Sequence, residues 1–226
     1  IAAWTRAVQL KDDAAGLAVA PMLKTLAPDL AADLNAYINA TSPETRHAAG
    51  ILLLLRWPGM RNHVPLAEEV GAYAETTPRD DIAKDAIGVN WWCGIEPALG
   101  RPAGPYEWWK EMPVSSLPNV NGTTTQAASP VFLSADDRTA MSAEWQRLTR
   151  LKSAPTYLAT EAVAWAETRP RDAGVAEALA RAVVATHYGC GDEQTGAASK
   201  RAFTILHARY ATTTWAKQTP FWYEGR

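Results

Sequence analysis

Apolar residues recur at helical spacing along most of this chain of 226 residues. Within residues 28–39, Leu30, Leu34 and Tyr37 would share one helix face, because they are separated by four and then three positions. Short breaks rich in Pro, Gly and Asp separate the segments that carry this pattern. Such an alternation predicts an all-α fold of consecutive antiparallel helical hairpins. The same pattern occurs over residues 64–76, 134–148, 156–168, 173–187 and 197–210.

One helix has both of its ends marked in the sequence. Ser42 followed by Pro43 is typical of an N-cap and a first helical position. The run Trp57-Pro58-Gly59 ends this helix at Arg56. Because Leu52–Leu55 make it apolar on all sides, we expect this helix to be central in the core.

Two further signals concern helix continuity. Ser134 and Asp137 have the spacing of a capping box, so we expect a helix to begin there. Pro21 interrupts an otherwise helical stretch, which predicts a kink or a break at that position.

A short sequence is repeated in the C-terminal half. Trp165-Ala166, followed by Pro170, recurs as Trp215-Ala216, followed by Pro220. Stacked helical hairpins would produce such a repeat. We therefore expect both tryptophans to be buried against a neighbouring helix.

Residues 77–133 differ from the rest of the chain, because Pro, Gly, Ser, Thr and Asn are frequent and the helical period is lost. The chain therefore divides into N-terminal hairpins over 1–76, an irregular excursion over 77–133 packed on the helices, and C-terminal hairpins over 134–226, all within one continuous domain. Tryptophans in the excursion either bury themselves, which we favour, or stack on a sugar ring or a partner's side chains. They form two pairs, Trp91-Trp92 and Trp108-Trp109, and are the candidate binding residues.

Composition and charge restrict the function. The formal net charge is −2, and Lys and Arg are scattered, so the chain has no basic field for nucleic acid or anionic lipid. The longest apolar run, residues 50–55, is far too short to span a membrane. Since the chain begins with Ile1 in a helix-like segment, we expect it to be a mature or truncated piece of a longer protein.

The sequence contains no recognisable catalytic, phosphate-binding or haem-attachment motif. His187 and Cys190, with Asp192, Glu193 and His207, supply too few paired ligands for structural zinc, so we expect no metal or cofactor, and expect the histidines to line helix ends. The carboxylates in the excursion could serve a glycoside-cleaving site, although solvated surface charge is the more ordinary interpretation. They are Glu96, Glu107 and Glu111.

Several segments resemble large uncharacterised bacterial proteins that have helical repeats. They are the run Ser42-Pro43-Glu44-Thr45-Arg46-His47-Ala48-Ala49, Trp57–Arg61, Asn90–Cys93, His187–Gly196 and Trp215–Tyr223. The segment from Ala202 to Tyr210, followed by Trp215-Ala216, is similar to the second helix of tetratricopeptide hairpins, although no strict 34-residue period runs through the chain. The resemblance implies a tetratricopeptide-like α-solenoid and a periplasmic or extracellular location, but no chemistry.

The chain has two cysteines, Cys93 and Cys190. In an exported protein this even number favours a disulfide, which would join the excursion to the C-terminal hairpins. The alternative is two buried, reduced thiols that pack as small apolar groups.

These observations favour a non-catalytic scaffold or protein-interaction module of a larger exported bacterial assembly, with other protein subunits as its partners. The alternatives are a glycan-binding module that uses the Trp-rich excursion, and a helical domain of an enzyme that cleaves cell-wall glycan. An open aromatic groove with a carboxylate pair would favour either alternative.

Overall fold

The structure is a computed structural model, which describes residues 1–62, 92, 95–96, 101–102, 134–188 and 191–222. Within these residues the protein is all-helical, as predicted, apart from a two-stranded antiparallel ladder. A 3₁₀ turn, Pro28–Leu30, precedes α3, and strand β1 (Ile95–Glu96) pairs with β2 (Arg101–Pro102). The α-helices are α1 (Ala2–Gln9), α2 (Asp13–Leu26), α3 (Ala31–Ile38), α4 (Pro43–Arg56), α5 (Ala135–Leu148), α6 (Ala154–Thr168), α7 (Val175–Tyr188), α8 (Thr195–Arg209) and α9 (Thr214–Lys217). The helix predicted over 64–76 lies outside the described residues.

The capping signals of α4 and α5 are confirmed. The Ser42 hydroxyl accepts the Thr45 N–H at 3.2 Å, and the Thr45 hydroxyl accepts the Ser42 N–H at 3.0 Å. Ser134 and Asp137 exchange the equivalent pair of bonds, at 3.0 and 3.2 Å. Each pair satisfies amide groups that would otherwise lack partners at the start of a helix.

Pro21 does not break its helix. Helix α2 continues through Pro21 to Leu26, so the break allowed by the sequence is absent. Pro21 lies on the exposed side of α2, where the carbonyl that loses its amide partner can be hydrated.

Helix α4 is central in the fold, as expected. Leu53, Leu54 and Leu55 are 0–2% exposed, and α4 contacts α1, α3, α6 and α7. Buried apolar side chains from Trp4 to Met60 therefore form one cluster with those of α6–α9. The N-terminal and C-terminal helices thus share a hydrophobic core, whose burial is the main favourable contribution to stability.

An ion-pair network reinforces this contact between the two parts of the chain. The Arg56 guanidinium donates to both carboxylate oxygens of Glu177 at 2.7 and 2.6 Å, and to Asp33 at 2.5 Å. Arg181 also donates to Glu177, and the Trp57 indole donates to Asp33. The pKa of Arg56 is raised, because its hydrogen bonds to Glu177 and Asp33 outweigh the effect of burial, which alone would lower it. The network connects α3, α4 and α7.

Helices α6, α7 and α8 each bury a leucine of the predicted stripe, since Leu158, Leu179 and Leu206 are 0% exposed. Phe203 and Tyr210 of the stripe on α8 are half-buried and pack against the core. Helix α5 differs, because its predicted stripe of Met141, Trp145 and Leu148 begins at the surface: Leu148 is 2% exposed, whereas Met141 is 46% exposed. Polar contacts connect α5 to α1 instead. They are the Arg6–Glu144 ion pair at 3.0 Å and the bond from Arg147 to the Leu10 carbonyl at 2.7 Å.

The repeated Trp-Ala pairs are only partly equivalent. Ala166 and Ala216 are both buried, at 0% and 1% exposed, whereas both tryptophans are half-buried. Trp165 lies near the end of the long helix α6, and Trp215 lies in the four-residue helix α9, beneath the Arg181 guanidinium at 5.3 Å.

Among the described helices, none has the length and apolar character needed to cross a membrane.

Candidate functional site

An open cleft of about 270 Å³ lies between α4 and α6. Ala48 and Ile51 of α4 and Ala164 and Trp165 of α6 supply its apolar lining. This volume is near the lower end for ligand pockets, so it suits one or two side chains or a small ligand. The titratable residues of its lining are Lys11, Asp13, Glu44, His47, Glu161 and Arg169.

Glu161 is the centre of a charged cluster in this cleft. Its Oε2 atom lies 2.9 Å from His47 Nε2 and 3.3 Å from Lys11 Nζ. Burial alone would raise the pKa of Glu161, but the hydrogen bonds and charges of His47 and Lys11 outweigh it, so the pKa is lowered. Glu161 is therefore an ionised acceptor at neutral pH, not a proton donor.

Lys11 reaches this cluster through an unusual backbone conformation. Its φ is 56°, in the left-handed region that favours glycine. The Asp12 N–H donates to the Ala7 carbonyl and the Lys11 N–H to the Val8 carbonyl, which is the Schellman pattern at the end of α1. A lysine in this conformation costs free energy that a glycine would not. Residues held in such conformations are common at functional sites, and Lys11 lines the cleft.

Trp165 is fixed against the other side of the cleft. Its indole N–H donates to Asp172 at 2.9 Å. A methyl group added at Gly174 would lie 2.7 Å from the Trp165 ring and 3.1 Å from Leu52, so the ring packs closely on the turn before α7. The ring is half-buried, which leaves part of it to face the cleft. An aromatic surface held in this way can contact an apolar or planar group at little cost in side-chain entropy.

The charges of the cleft are largely paired within the protein. Asp13 accepts from Arg46 at 2.7 Å, and Arg169 donates to the Glu44 carbonyl at 2.9 Å. The Thr168 hydroxyl donates to the Ala164 carbonyl. The arrangement can therefore hold a group by apolar contact and by hydrogen bonds at its rim.

The candidate tryptophans of the excursion can be placed only at Trp92. This residue is 1% exposed, and its ring lies 6.0 Å from that of Tyr157. Its burial agrees with the packing role that we favoured and leaves no face for a ligand. Glu96 lies in β1. The other candidate residues lie outside the described part of the chain: Trp91, Trp108, Trp109, Cys93, Cys190, Glu107 and Glu111.

Three of the residues considered for zinc have other contacts, namely Asp192, His207 and His187. The Asp192 carboxylate accepts from the Ser153 hydroxyl at 2.9 Å and from the Gln194 N–H at 2.9 Å, so it stabilises the turn before α8. His207 Nε2 lies 2.8 Å from the Thr219 carbonyl, and the His187 ring packs edge-on against Phe221. No group of three or more metal-ligating side chains occurs in the described residues.

Sequence reasoning did not identify this cleft. His47 and Glu161 are 114 positions apart, and no spacing rule connects them. Trp165 was recognised only as a residue expected to be buried. The positive φ of Lys11 follows from the end of α1, which has no glycine to mark it.

Comparison of the chain with protein-family models, with curated proteins and with solved structures finds no match.

Proposed function

We propose that this chain is a non-catalytic protein-interaction module of a larger exported bacterial assembly, and that the cleft between α4 and α6 is where a partner protein docks. The observation that carries the proposal is the combination of the Trp165 ring with an apolar lining in an open cleft. Interfaces are commonly anchored by one or two side chains that fill such a pocket.

The pairing of charges favours binding over chemistry. Glu161 is held by both His47 and Lys11, and its lowered pKa keeps it ionised. A general acid would need a pKa raised toward neutrality instead. A partner peptide could form hydrogen bonds at this rim while the ion pairs of Glu161 and Asp13 stay intact.

The helix packing supports a tetratricopeptide-like arrangement for the C-terminal half. Helix α8 contacts both α7 and α6, as the first helix of one hairpin contacts both helices of the preceding hairpin in a stacked repeat. Repeat proteins of this kind bind partners on surfaces formed by successive hairpins. The cleft lies where α6 of this half meets α4.

The proposal is tested by cross-linking from a single position in the cleft. Thr168 lines the cleft and is exposed, so a photo-reactive phenylalanine analogue in its place would reach a docked partner. Thr204 is a matched control on α8, because it is also an exposed helical threonine whose hydroxyl donates to the carbonyl four residues earlier. The experiment is performed in cells that contain the protein's native partners.

We expect a protein adduct from position 168 that is absent from position 204, and we expect mass spectrometry to map it to one short segment of one partner. Trp165→Ala should greatly reduce its yield. An adduct of equal yield from both positions, or none from position 168, would refute the docking site. A glycan adduct from position 168 would show that the cleft binds a carbohydrate and not a protein.

A further inference from the structure

Helix α2 presents an uncharged surface to solvent. Seven of its 14 residues are exposed, and none of the seven carries a charge. Met22 and Leu26 are 60% and 74% exposed, and the Thr25 hydroxyl donates to the Pro21 carbonyl within the helix. The outer side of a helix usually carries charged and polar groups, and a contiguous apolar patch there marks an interaction site. The exposed residues are Ala14, Ala15, Ala18, Pro21, Met22, Thr25 and Leu26.

Four of these residues form a stripe along which side-chain size changes. Ala14, Ala18, Met22 and Leu26 follow one another at intervals of four positions, so they are neighbours on the helix surface. In an antiparallel pair of α2 helices with a two-fold axis at the middle of the stripe, Ala14 opposes Leu26 of the second copy. Ala18 opposes Met22 of the second copy in the same way. Large side chains then meet small ones, which allows the two helices to pack closely.

The charges at the ends of α2 favour the same orientation. At the N-terminal end the Asp12 carboxylate accepts the Ala15 N–H, and near the C-terminal end the Lys24 ammonium donates to the neutral amide of Asn35. An antiparallel pair places Asp12 of each copy towards Lys24 of the other, whereas a parallel pair brings like charges together. The helix dipoles also attract each other only in the antiparallel arrangement.

We infer that α2 is a self-association surface, through which two copies of this chain form an antiparallel, two-fold symmetric contact. Such a contact requires a surface that is complementary to itself, and the size gradient and the end charges of α2 have this property. Because each copy contributes one helix, the contact is smaller than a standard interface of about 800 Å² per partner, and we expect it to be weak. It does not depend on the proposed function of the cleft, since none of the seven exposed residues lines the cleft.

Sedimentation velocity at increasing protein concentration tests whether the contact forms. We expect the wild type to pass from monomer to dimer below about 1 mM, a concentration at which weak contacts are populated. Ala18→Glu should raise the dissociation constant at least about tenfold, because it places a charge from each copy between the two helices. Ala140→Glu is the control, because Ala140 is also an exposed alanine within a helix, α5. A wild type that stays monomeric, or an equal effect of the two substitutions, would overturn the inference.

Mixing two charge variants tests the orientation of the helices. Ala14→Glu and Leu26→Lys should each abolish the dimer, yet neither should disturb the fold, because an acid in the first turn and a base in the last turn suit the helix dipole. In an antiparallel pair the introduced carboxylate and ammonium face each other, so an equimolar mixture of the two variants should form a heterodimer.

The matched control is a mixture of Ala14→Glu with Ala14→Lys, whose introduced charges would face each other only in a parallel pair. We expect no dimer from this mixture. A dimer from the control mixture and none from Ala14→Glu with Leu26→Lys would show a parallel contact and contradict the inference. A failure of both mixtures would equally exclude the antiparallel pairing of the stripe.

Discussion

Gly16 of α2 lies against the Tyr37 side chain of α3. A Cβ atom added there would clash with the Tyr37 hydroxyl and would lie 3.0 Å from the ring carbon that carries it. Tyr37 is 1% exposed and packs edge-on against Trp4, so its ring has no free space into which to move. Glycine is therefore required here by a close approach, although helices generally favour alanine.

The Gly16→Ala variant should be less stable by about 2 kcal/mol, because overpacking outweighs the gain in helix propensity. In a Tyr37→Phe background the closest contact is absent, so the same substitution should cost at least about 1 kcal/mol less. Chemical denaturation of the four proteins measures both costs. Equal costs in the two backgrounds would contradict the close approach.

Single residues could be predicted where their role is local. Ser42 and Ser134 were identified as helix caps from near neighbours, which are Pro43 at the next position and Asp137 three positions on. The role of Gly16 could not be predicted, because the residue that excludes a side chain there, Tyr37, belongs to another helix. The contact between His47 and Glu161 could not be predicted either, because these two residues also belong to different helices.

At the scale of elements, Arg56 is the side chain that ties α3 and α7 to the central helix. Its own side chain is 27% exposed, and those of Asp33 and Glu177 are 15% and 11% exposed. Burial raises the pKa of Glu177, but the bonds from Arg56 and Arg181 outweigh it and lower the pKa below its ordinary value of 4.5. A carboxylate with a lowered pKa stabilises the fold above its ordinary pKa, and this contribution is lost as the pH falls through the lowered value.

The Arg56→Met variant should lose about 2 kcal/mol of stability at neutral pH, between the values typical of exposed and of fully buried ion pairs. The difference from the wild type should shrink when the pH is lowered well below 4.5, where Glu177 is protonated. Urea denaturation at both pH values measures this. Arg201→Met is the control, because its ion pair with Glu167 is 59% and 42% exposed and should contribute less than about 1 kcal/mol. A pH-independent difference for Arg56→Met would contradict the network.

Helices with a clear apolar stripe were predicted well, because their stripes face the core in α3 and in α6–α8. Helix α5 was predicted in position but not in packing. The sequence shows its apolar residues, but the contacts that hold it are the charged groups of Arg6, Glu144 and Arg147. Surface charges are present on every helix, so their pairing cannot be predicted from spacing alone.

At the scale of the whole molecule, the disulfide between Cys93 and Cys190 remains a prediction. Both cysteines lie outside the described residues, but their described neighbours meet at the start of α6. The Trp92 carbonyl accepts the Ala154 N–H at 3.0 Å, and Asp192 accepts the N–H of the adjacent Ser153 at 3.2 Å. A disulfide requires two Cα atoms that are less than about 7 Å apart.

A disulfide between these cysteines would reduce the entropy of the unfolded chain and so stabilise the fold by roughly 4–5 kcal/mol in the loop-entropy model. It would also support the proposed location outside the reducing cytoplasm. Thiol labelling of the unfolded, unreduced protein should modify neither cysteine, and labelling after reduction should modify both. Modification of both cysteines without reduction would exclude the bridge.

The three-part organisation predicted from sequence stays a prediction, and the described helices on either side of residues 77–133 pack on each other. Helix α4, from the N-terminal part, contacts α6 and α7 of the C-terminal part, and the cleft depends on that contact. Composition and periodicity identify helices but contain no information about which of them pair across a long irregular segment.

Native-state hydrogen exchange tests this shared core most directly. If α4, α6 and α7 form one cooperative unit, their slowest amides should exchange with the same free energy of opening and the same dependence on denaturant. Amides near Leu54, Leu158 and Leu179 report on the three helices. We expect the three values to agree within error. A markedly smaller free energy of opening for α4 than for α6 and α7 would show that the two parts unfold separately, and would contradict both the shared core and the cleft that it forms.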